Sequence, residues 1–475
     1  MVVLLCIPLY TDAINEILNV LGNIRNKHVI VIGDILLDEY IYGMVNKVST
    51  GIQIPIIDKE IVEYRLGGAA NVAANVAGLC NHTTLIGRCA KDDSGNRVKQ
   101  LCELYHVKLM DFESEKTVVK QRIYVDNQQV SRLDTNAFSK SVAKELKTVL
   151  SDYKVDVVII ADYLYGVVSQ KVLDITTSFC KEKSVPIFYT SRDLGRFVIG
   201  GYPIVVANQK EWNLWNQSDD CPRAFITKGN EGISFLSKTK KAEKKASKKY
   251  SVNVSGAGDT VLAIISLLYG EKYISIDDLL LLANLAGELA VENKLTYVVR
   301  QFDLVDALYK HWINDDSINK IVDISLAQDI VSAWKQKKEK IVFTNGCYDL
   351  LHLGHIKSFQ YSKKFGDKLV VAVNSDSSIK RLKGNGRPIN NLEERVSTLA
   401  YLSMIDMVIY FEEDTAINVI KAIGPDTYVK GEEYKSKALL EAEYVKKVEY
   451  VPMIEGTSTT QLIKKIARAV EVDGQ

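Results

Sequence analysis

Lys340-Ile-Val-Phe-Thr-Asn-Gly-Cys-Tyr-Asp-Leu-Leu-His-Leu-Gly-His355 is the stretch from which the fold of the C-terminal third is read. Its apolar opening, Lys340 to Thr344, predicts a buried strand, Asn345-Gly346 predicts a turn, and a helix is expected to begin near His355. A parallel strand that turns into a helix delivers the turn to the carboxyl edge of the sheet, beside a helix N-terminus, where α/β proteins take up phosphate. His352 and His355 fall at that edge. A His-x-x-His pair is also half of a zinc site, or simply two packed rings. Zinc needs a third protein ligand, and the residues after 319 hold no other histidine and only Cys347 as a thiolate.

Outward from this stretch, a helix is expected over Ser325 to Lys335, a second over Ile356 to Phe365, and a strand over Lys368 to Asn374. Asn374-Ser-Asp-Ser-Ser-Ile-Lys-Arg-Leu-Lys-Gly384 ends that strand and brings Lys380, Arg381 and Lys383 to the same sheet edge. Glu455-Gly-Thr-Ser-Thr-Thr-Gln-Leu-Ile463 offers a hydroxyl-rich turn opening a last helix, an anion site or an ordinary helix cap. Such donors suit displacement at an α-phosphate, where negative charge grows on equatorial oxygens and on departing pyrophosphate and can be met without covalent chemistry.

Upstream, His28-Val-Ile-Val-Ile-Gly-Asp34, Val155 to Asp162, Pro186 to Tyr189 and Pro203 to Asn208 are continuous apolar runs separated by helical stretches, the pattern of a parallel sheet covered on both faces. Ile52 to Ile57 and Lys120 to Val125 alternate instead, which predicts strands with one wet face, a small β-lid on an α/β body. Val254-Ser-Gly-Ala-Gly-Asp-Thr260 reads as a glycine turn at a helix start with an acid in its first turn. Its glycines let main-chain N–H groups approach a phosphate, and Asp259 is placed to accept a proton from a hydroxyl; the same residues also serve as a plain helix cap. Around it stand Gly67-Gly-Ala-Ala-Asn-Val-Ala-Ala-Asn75 at an earlier helix start, Asp34 and Asp38 after the first strand, Asn208-Gln-Lys-Glu211 after another, and Thr227-Lys-Gly-Asn-Glu-Gly232 after a third.

A chain of 475 residues suits two or three compact units. The restart of the βα rhythm after Asp315-Asp316 divides it at residues 312–325, giving domains 1–318 and 319–475. With 60 Lys and Arg against 59 Asp and Glu, the formal charge of +1 gives no global field for nucleic acid or an anionic membrane. Lys238 to Tyr250 packs seven lysines, read as a solvated loop or edge strand rather than a phosphate or nucleic-acid patch, since no aromatic residues interleave for base stacking. The seven cysteines are scattered and unpaired in spacing, as in a reducing cytoplasm. The apolar opening segment is too short and uncharged at its start for a signal peptide or membrane span.

The segments "TNGCYDLLHLGH", "VAVNSDSSIKRLKGNGRPIN", "FEEDT", "PDTYVKGEEY" and "STTQLIKKI" resemble, in order, the nucleotidyltransferases with a His-x-Gly-His signature. Residues 27–310 resemble the ribokinase-like sugar kinases. Both halves together are similar to the bacterial family of bifunctional heptose 7-phosphate kinases/heptose 1-phosphate adenylyltransferases. The resemblance implies an α/β chain: a ribokinase-like domain with a β-lid, then a Rossmann-like, cytidylyltransferase-like domain on a parallel sheet. It implies ATP with Mg2+, K+ in the kinase domain, small-molecule heptose phosphates as substrates, a cytoplasmic homodimer, and no nucleic-acid or membrane partner. In the transferase half it assigns His352, His355 and Lys383 to catalysis at the phosphates, and Thr344, Asn345, Gly346, Tyr348, Asp349, Gly354, Asn374, Asp376, Lys380, Arg381, Lys430, Ser458, Thr459 and Thr460 to the nucleotide. In the kinase half Asp259 is the base and Gly256, Ala257 and Gly258 the anion hole. Asn208, Gln209, Lys210, Glu211, Thr227, Gly229 and Gly232 serve ATP, with Glu211 near magnesium, and Asp34, Asp38, Gly67, Gly68, Asn71 and Asn75 face the sugar.

The chain departs from that pattern at several points. Ser49-Thr-Gly51-Ile-Gln53 replaces Ser-Pro-Glu-Ala-Pro, Thr190-Ser191-Arg192 replaces Asp-Pro-Lys, Asn253 stands for an acid, and Glu211 to Phe225 is short by about a helix. Two alternatives stay open from the residues: a transferase using another nucleotide, such as CTP, with an alditol phosphate, and a kinase-like domain that binds without phosphorylating.

Overall fold

The computed structural model describes residues 14–452 apart from 50, 127, 136, 152, 216–222, 248–255, 294 and 437–438. The chain divides between Leu304 and Val305 into two compact units, the second taking in residues 14–18.

The first unit is built on a nine-stranded sheet. Across it run Lys241–Lys244, Ile233–Leu236, Ala224–Thr227, Ile204–Asn208, Ile187–Ser191, Val157–Asp162, His28–Gly33, His82–Ala90 and Val107–Ser114. Ile233–Leu236 pairs antiparallel with both of its neighbours and the other pairings are parallel. Val29, Ile30, Val31 and Ile32 are all buried, as a strand covered on both faces requires. Ile30, Ile32, Val158, Ile160, Leu146 and Val172 form one packed cluster beneath the helices, each side chain contributing about 1.5–3 kcal/mol by leaving water. The strand order reverses at His28–Gly33, which has His82–Ala90 on one side and Val157–Asp162 on the other. The carboxyl ends of His28–Gly33 and Val157–Asp162 therefore flank a crevice of the kind in which open α/β sheets bind ligands.

The lid is a four-stranded sheet in the order Pro55–Gly68, Ile35–Val48, Val118–Val125, Gln128–Asp134. The strand expected at Ile52 starts only at Pro55. Gln53 has φ 50° and the Ser49 N–H donates to Ile54 O at 2.9 Å, so the alternating residues before Pro55 are spent on the turn between two lid strands. The lysine-rich segment supplies Lys241–Lys244, an edge strand, and Lys228 pairs with Glu243 there.

The second unit holds six parallel strands in the order Ile321–Val322, Met407–Phe411, Lys368–Asn374, Ile341–Gly346, Thr427–Gly431, Lys447–Val451. Val342, Val371, Val373, Phe359, Val408 and Val429 make its core. Helix Ile324–Gln336 is capped by Asp323, which accepts from Leu326 N at 2.8 Å. Two boundaries differ from expectation. The strand after Lys340 runs on through Asn345 and Gly346 before the chain turns, and the next helix begins at Leu353 with His352 as its cap residue. Here the order reverses between Ile341–Gly346 and Thr427–Gly431, so a second switch-point crevice opens at Asn345-Gly346 and Lys430-Gly431. No helix among the described residues is long and apolar enough to cross a membrane.

Candidate active sites

In the second unit the histidines lie where the strand and helix meet. The His352 and His355 rings stack at 3.8 Å with 19° between planes. The His352 N–H donates to His355 Nδ1 at 3.4 Å, which leaves Nε2 to carry the proton of the neutral ring. Burial holds both rings below the ordinary histidine range; for His355, burial, then His352 and Lys383, bring it to about 4. At neutral pH both rings are therefore uncharged, and His352 Nδ1 is buried without a partner among the described residues. Gly354, at the second helical position, adds a main-chain N–H of the first turn.

Lys430 ends the neighbouring strand. Its Nζ donates to Asn345 O at 3.3 Å and lies 5.4 Å and 4.8 Å from the Tyr428 and Tyr434 ring centres. Burial brings this lysine down to about 8. Asn345 Oδ1 accepts from the Tyr428 hydroxyl at 2.6 Å, so its side chain is held at the crevice floor. Thr344 is buried beneath it.

Several residues expected against the nucleotide are engaged elsewhere. Tyr348, at φ 46°, turns its ring inward against His355 and Phe359, 5.3 Å from each, and packs so close to Gly346 that a Cβ there would lie 3.1 Å from the ring. Asp349 is buried and accepts from Ile389 N, Asn390 N and Arg387, fastening the segment 387–390. Asn374 donates to Ser378 Oγ at 3.1 Å, and Asp376 pairs with Arg395 at 2.7 Å. Arg381 turns to Asp414 and to Glu412 O. Lys380 and Lys383 stay exposed on the last turn of Asp376–Lys383, with Lys383 near enough to His355 to act on it. Ser458, Thr459 and Thr460 lie outside the described residues.

Sequence reading missed Arg395. Only 1 % exposed, it donates to Cys347 O, Asn374 O, Asn390 O and Asp376, tying four segments of the sheet edge together. Its sole sequence signal is an arginine among the apolar positions of helix Leu392–Ala400.

In the first unit Asp259 sits in the first turn of Ala257–Leu268, behind Gly256 at φ 84°. A Cβ on Gly256 would lie 2.9 Å from Thr296 Cγ2 and 3.1 Å from Asn71 Nδ2, so glycine is required by both backbone and space. Asn71 Nδ2 donates to Asp259 Oδ2 at 2.7 Å and the Tyr163 hydroxyl donates to Oδ1. Burial raises the Asp259 carboxyl above the ordinary range, and these two donors and Arg192 pull it back. The first N–H groups of the helix, at Ala257, Gly258 and Asp259, have no intrahelical acceptor. A pocket at this point is lined by Asp162, Tyr163, Thr190, Ser191, Arg192, Asn208, Glu211, Thr227, Gly258 and Asp259 among others. It gathers Asn208, Glu211, Thr227 and Asp259 from four separate elements.

Asn208 and Glu211 reciprocally cap Gln209–Leu214, at 2.8 and 2.9 Å, and Glu211 also pairs with Arg192 Nη1 at 2.8 Å. Gln209 turns to Asn213, and Lys210 is exposed. Gly229 and Gly232 take positive φ in a tight turn, and Gly232 passes where a Cβ would lie 2.1 Å from Lys244 O. Asp34, expected against a sugar, instead accepts N–H bonds from Tyr163, Tyr165 and Val167, while burial raises it to about 6. Asp38 pairs with Arg122 at 2.7 Å. Asn75 stands behind Asn71, bonded to Asn71 O and to Thr260. Gly67 and Gly68 let the lid strand pass Asp38, Leu36 and Asp34 into the helix. Thr190 and Ser191 line the pocket, whereas Asn253 lies outside the described residues and Gly51 is in the lid turn. Tyr163 and Asp162 were not foreseen; both stand at the switch point.

No cluster among the described residues has three metal-ligating side chains. A magnesium ion carried by a nucleotide needs only one or two carboxylates beside phosphate and water, and Glu211 and Asp162 in the same pocket fit that demand.

Comparison with known proteins gives a family for each half of the chain. A family described as pfkB family carbohydrate kinase matches residues 26–299, and one described as cytidylyltransferase-like matches residues 343–470. The chain is 32% identical to Bifunctional protein HldE of Koribacter versatilis, over 94% of this chain and 97% of that one. To Bifunctional protein HldE of Campylobacter fetus it is 32% identical over 92% and 99%. A crystal structure of phosphofructokinase-2 from Escherichia coli in complex with potassium is 16% identical over 59% of this chain and 96% of that chain, with a TM-score of 0.48.

Proposed function

The chain belongs to the Bifunctional protein HldE family, with a carbohydrate kinase domain and a nucleotidyltransferase domain, and from that we propose the two reactions it runs. The kinase, assigned to residues 1–318, phosphorylates heptose 7-phosphate at the anomeric hydroxyl with ATP. The transferase, assigned to 319–475, joins AMP from ATP to heptose 1-phosphate, giving ADP-heptose and pyrophosphate. A phosphatase must act between them, since the first product carries a second phosphate. The observation that supports this most is that each unit has anion donors gathered at its own switch point, one set around Asp259, a carboxylate able to accept a proton, and the other around His352, His355 and Lys430.

In the kinase, the sugar hydroxyl gives its proton to Asp259 as its oxygen bonds to the γ-phosphorus and ADP leaves. Burial favours the protonated carboxyl, which makes Asp259 a stronger base than a surface carboxylate. Asn71 and Tyr163 fix its direction. The N–H groups after Gly256 and the Arg192 guanidinium meet the charge that grows on the transferred group. Glu211 and Asp162 would hold a magnesium ion carried by ATP, which would supply charge neutralisation at the phosphates. Potassium is the monovalent ion this reading pairs with the kinase, tested by rates in potassium against sodium chloride.

In the transferase the nucleophile is an ionised phosphate oxygen, so no base is needed. His352 and His355 donate N–H to the triphosphate, Lys430 and Lys383 carry positive charge to it, and Asn345 and Gly354 set its place. Pyrophosphate leaves as the new P–O bond forms. The exposed lid residues Val48, Ile56, Ile61 and Leu133 support a homodimer, which sedimentation tests.

The test is to supply ATP with each sugar phosphate and read ADP and pyrophosphate separately. Absence of pyrophosphate with every sugar 1-phosphate tried, or equal use of CTP in a nucleotide panel, would remove the adenylyltransferase assignment.

A further inference from the structure

The inner face of the lid carries a cation that the reactions above do not use. Lys120 lies on Val118–Val125, with Asp38 opposite it on one neighbouring strand and Asp134 opposite it on the other. Opposite charges directly across a sheet ordinarily pair. Here both carboxylates are taken by arginines: Arg122 Nη1 holds Asp38 Oδ1 at 2.7 Å, and Arg132 Nε holds Asp134 Oδ1 at 2.7 Å. Lys120 forms no ion pair among the described residues. Its Nζ instead lies 5.9 Å and 5.5 Å from the ring centres of Tyr163 and Tyr165.

Its surroundings oppose leaving it so. Burial holds the Lys120 ammonium below the usual lysine range, and Arg132 and Arg192 repel it, while Asp38 and Asp134 act the other way. A half-buried ammonium without an acceptor is costly, and an anionic ligand removes that cost. The location indicates which anion. Tyr163, against which Lys120 packs, donates its hydroxyl to Asp259. Lys120 is thus one aromatic ring removed from the group that takes the proton. Arg192, 5.3 Å from the same ring, lines the pocket with Asn208, Glu211 and Thr227 on the nucleotide's side; Lys120 does not line it.

We propose that Lys120 binds the phosphate the sugar already carries, so that the kinase selects a sugar monophosphate over the free sugar. This rests on reading the N-terminal unit as a sugar kinase. The lid strand then brings the charge that reads the far end of the substrate, while Asp259 handles the near end.

The test uses the full chain in the Asp259→Asn background, which binds without turning over, and measures binding of heptose 7-phosphate and of the same heptose without phosphate by calorimetry. Lys120→Met is expected to weaken heptose 7-phosphate binding about 10- to 100-fold, the loss of a charge-assisted hydrogen bond, with the unphosphorylated heptose moving less than about threefold. Lys120→Arg, which keeps the charge, is expected to recover most of the affinity. With Asp259 restored, Lys120→Met is expected to raise KM for the sugar phosphate and leave KM for ATP in place. Unchanged heptose 7-phosphate binding in a folded Lys120→Met, or a shift in KM for ATP instead, overturns the proposal while leaving the kinase reading intact. Lys120-dependent binding in a wild-type chain that forms no ADP upholds it and overturns the kinase reading. A wild-type chain that neither binds nor phosphorylates the sugar phosphate overturns both.

Discussion

Asp259 is reached by donors from two elements, Asn71 on a helix and Tyr163 after a strand, and its carboxyl is raised by burial. Asp259→Asn keeps the shape and both neighbours but cannot take a proton. ADP formation is expected to fall by about 10²–10⁴, with nucleotide binding by calorimetry changed little. Lys430, brought to about 8, sets a pH limit on the other reaction. As pH rises through about 8 the free enzyme loses this charge, so kcat/KM for ATP in pyrophosphate release is expected to fall. Lys430→Arg, which stays charged, is expected to flatten that limb. His355 sets a stability limit of the opposite side. Its folded value, about 4, lies below the unfolded 6.5, so the unfolded chain binds the extra proton between them. Stability from this group is full above about 6.5 and lost as pH falls toward 4; thermal melts of wild type are expected to drop more over that interval than those of His355→Gln.

At this scale the placement of Asp259 and of the histidine pair at helix starts was legible because short motifs fix both residue type and backbone. Tyr163, Lys120 and Arg395 were not, because their importance arises from contacts between distant segments. The partners of Asp34 and Asp349 were not legible for a related reason: both accept main-chain N–H groups from segments distant in sequence.

Among elements, the start of Ala257–Leu268 depends on one backbone choice. Gly256→Ala places a Cβ against Thr296 and Asn71 at a left-handed φ. It is expected to cost about 1–2 kcal/mol in urea unfolding of the first unit and to reduce ADP formation further than that loss explains, because Asn71 is the neighbour displaced. The segment 387–390 depends likewise on Asp349. Asp349→Ala leaves Arg387 and two main-chain N–H groups without their acceptor, expected to cost about 2–4 kcal/mol in unfolding of the second unit. The parallel strands were legible because a strand buried on both faces reads as an unbroken apolar run. The lid turn was not, since Ile52 and Ile54 alternate with polar residues as a strand does, and only the left-handed Gln53 distinguishes the turn.

For the whole molecule, two sheets of different size each reverse their strand order at a central strand, His28–Gly33 in one and Ile341–Gly346 in the other, and each of these reversals opens a crevice with its own donors: Asp259 with the helix start in one unit, His352, His355 and Lys430 in the other. The donors named for each crevice come from a single unit, so a lesion in one is not expected to reach the other. The most direct measurement runs wild type, Asp259→Asn and His355→Ala side by side, each with ATP and either heptose 7-phosphate or heptose 1-phosphate. ADP and pyrophosphate are followed in each. The expected result is that Asp259→Asn loses ADP formation and keeps pyrophosphate release, while His355→Ala does the reverse. Pyrophosphate release that survives in His355→Ala, or loss of both products in either variant with the fold intact, would contradict it.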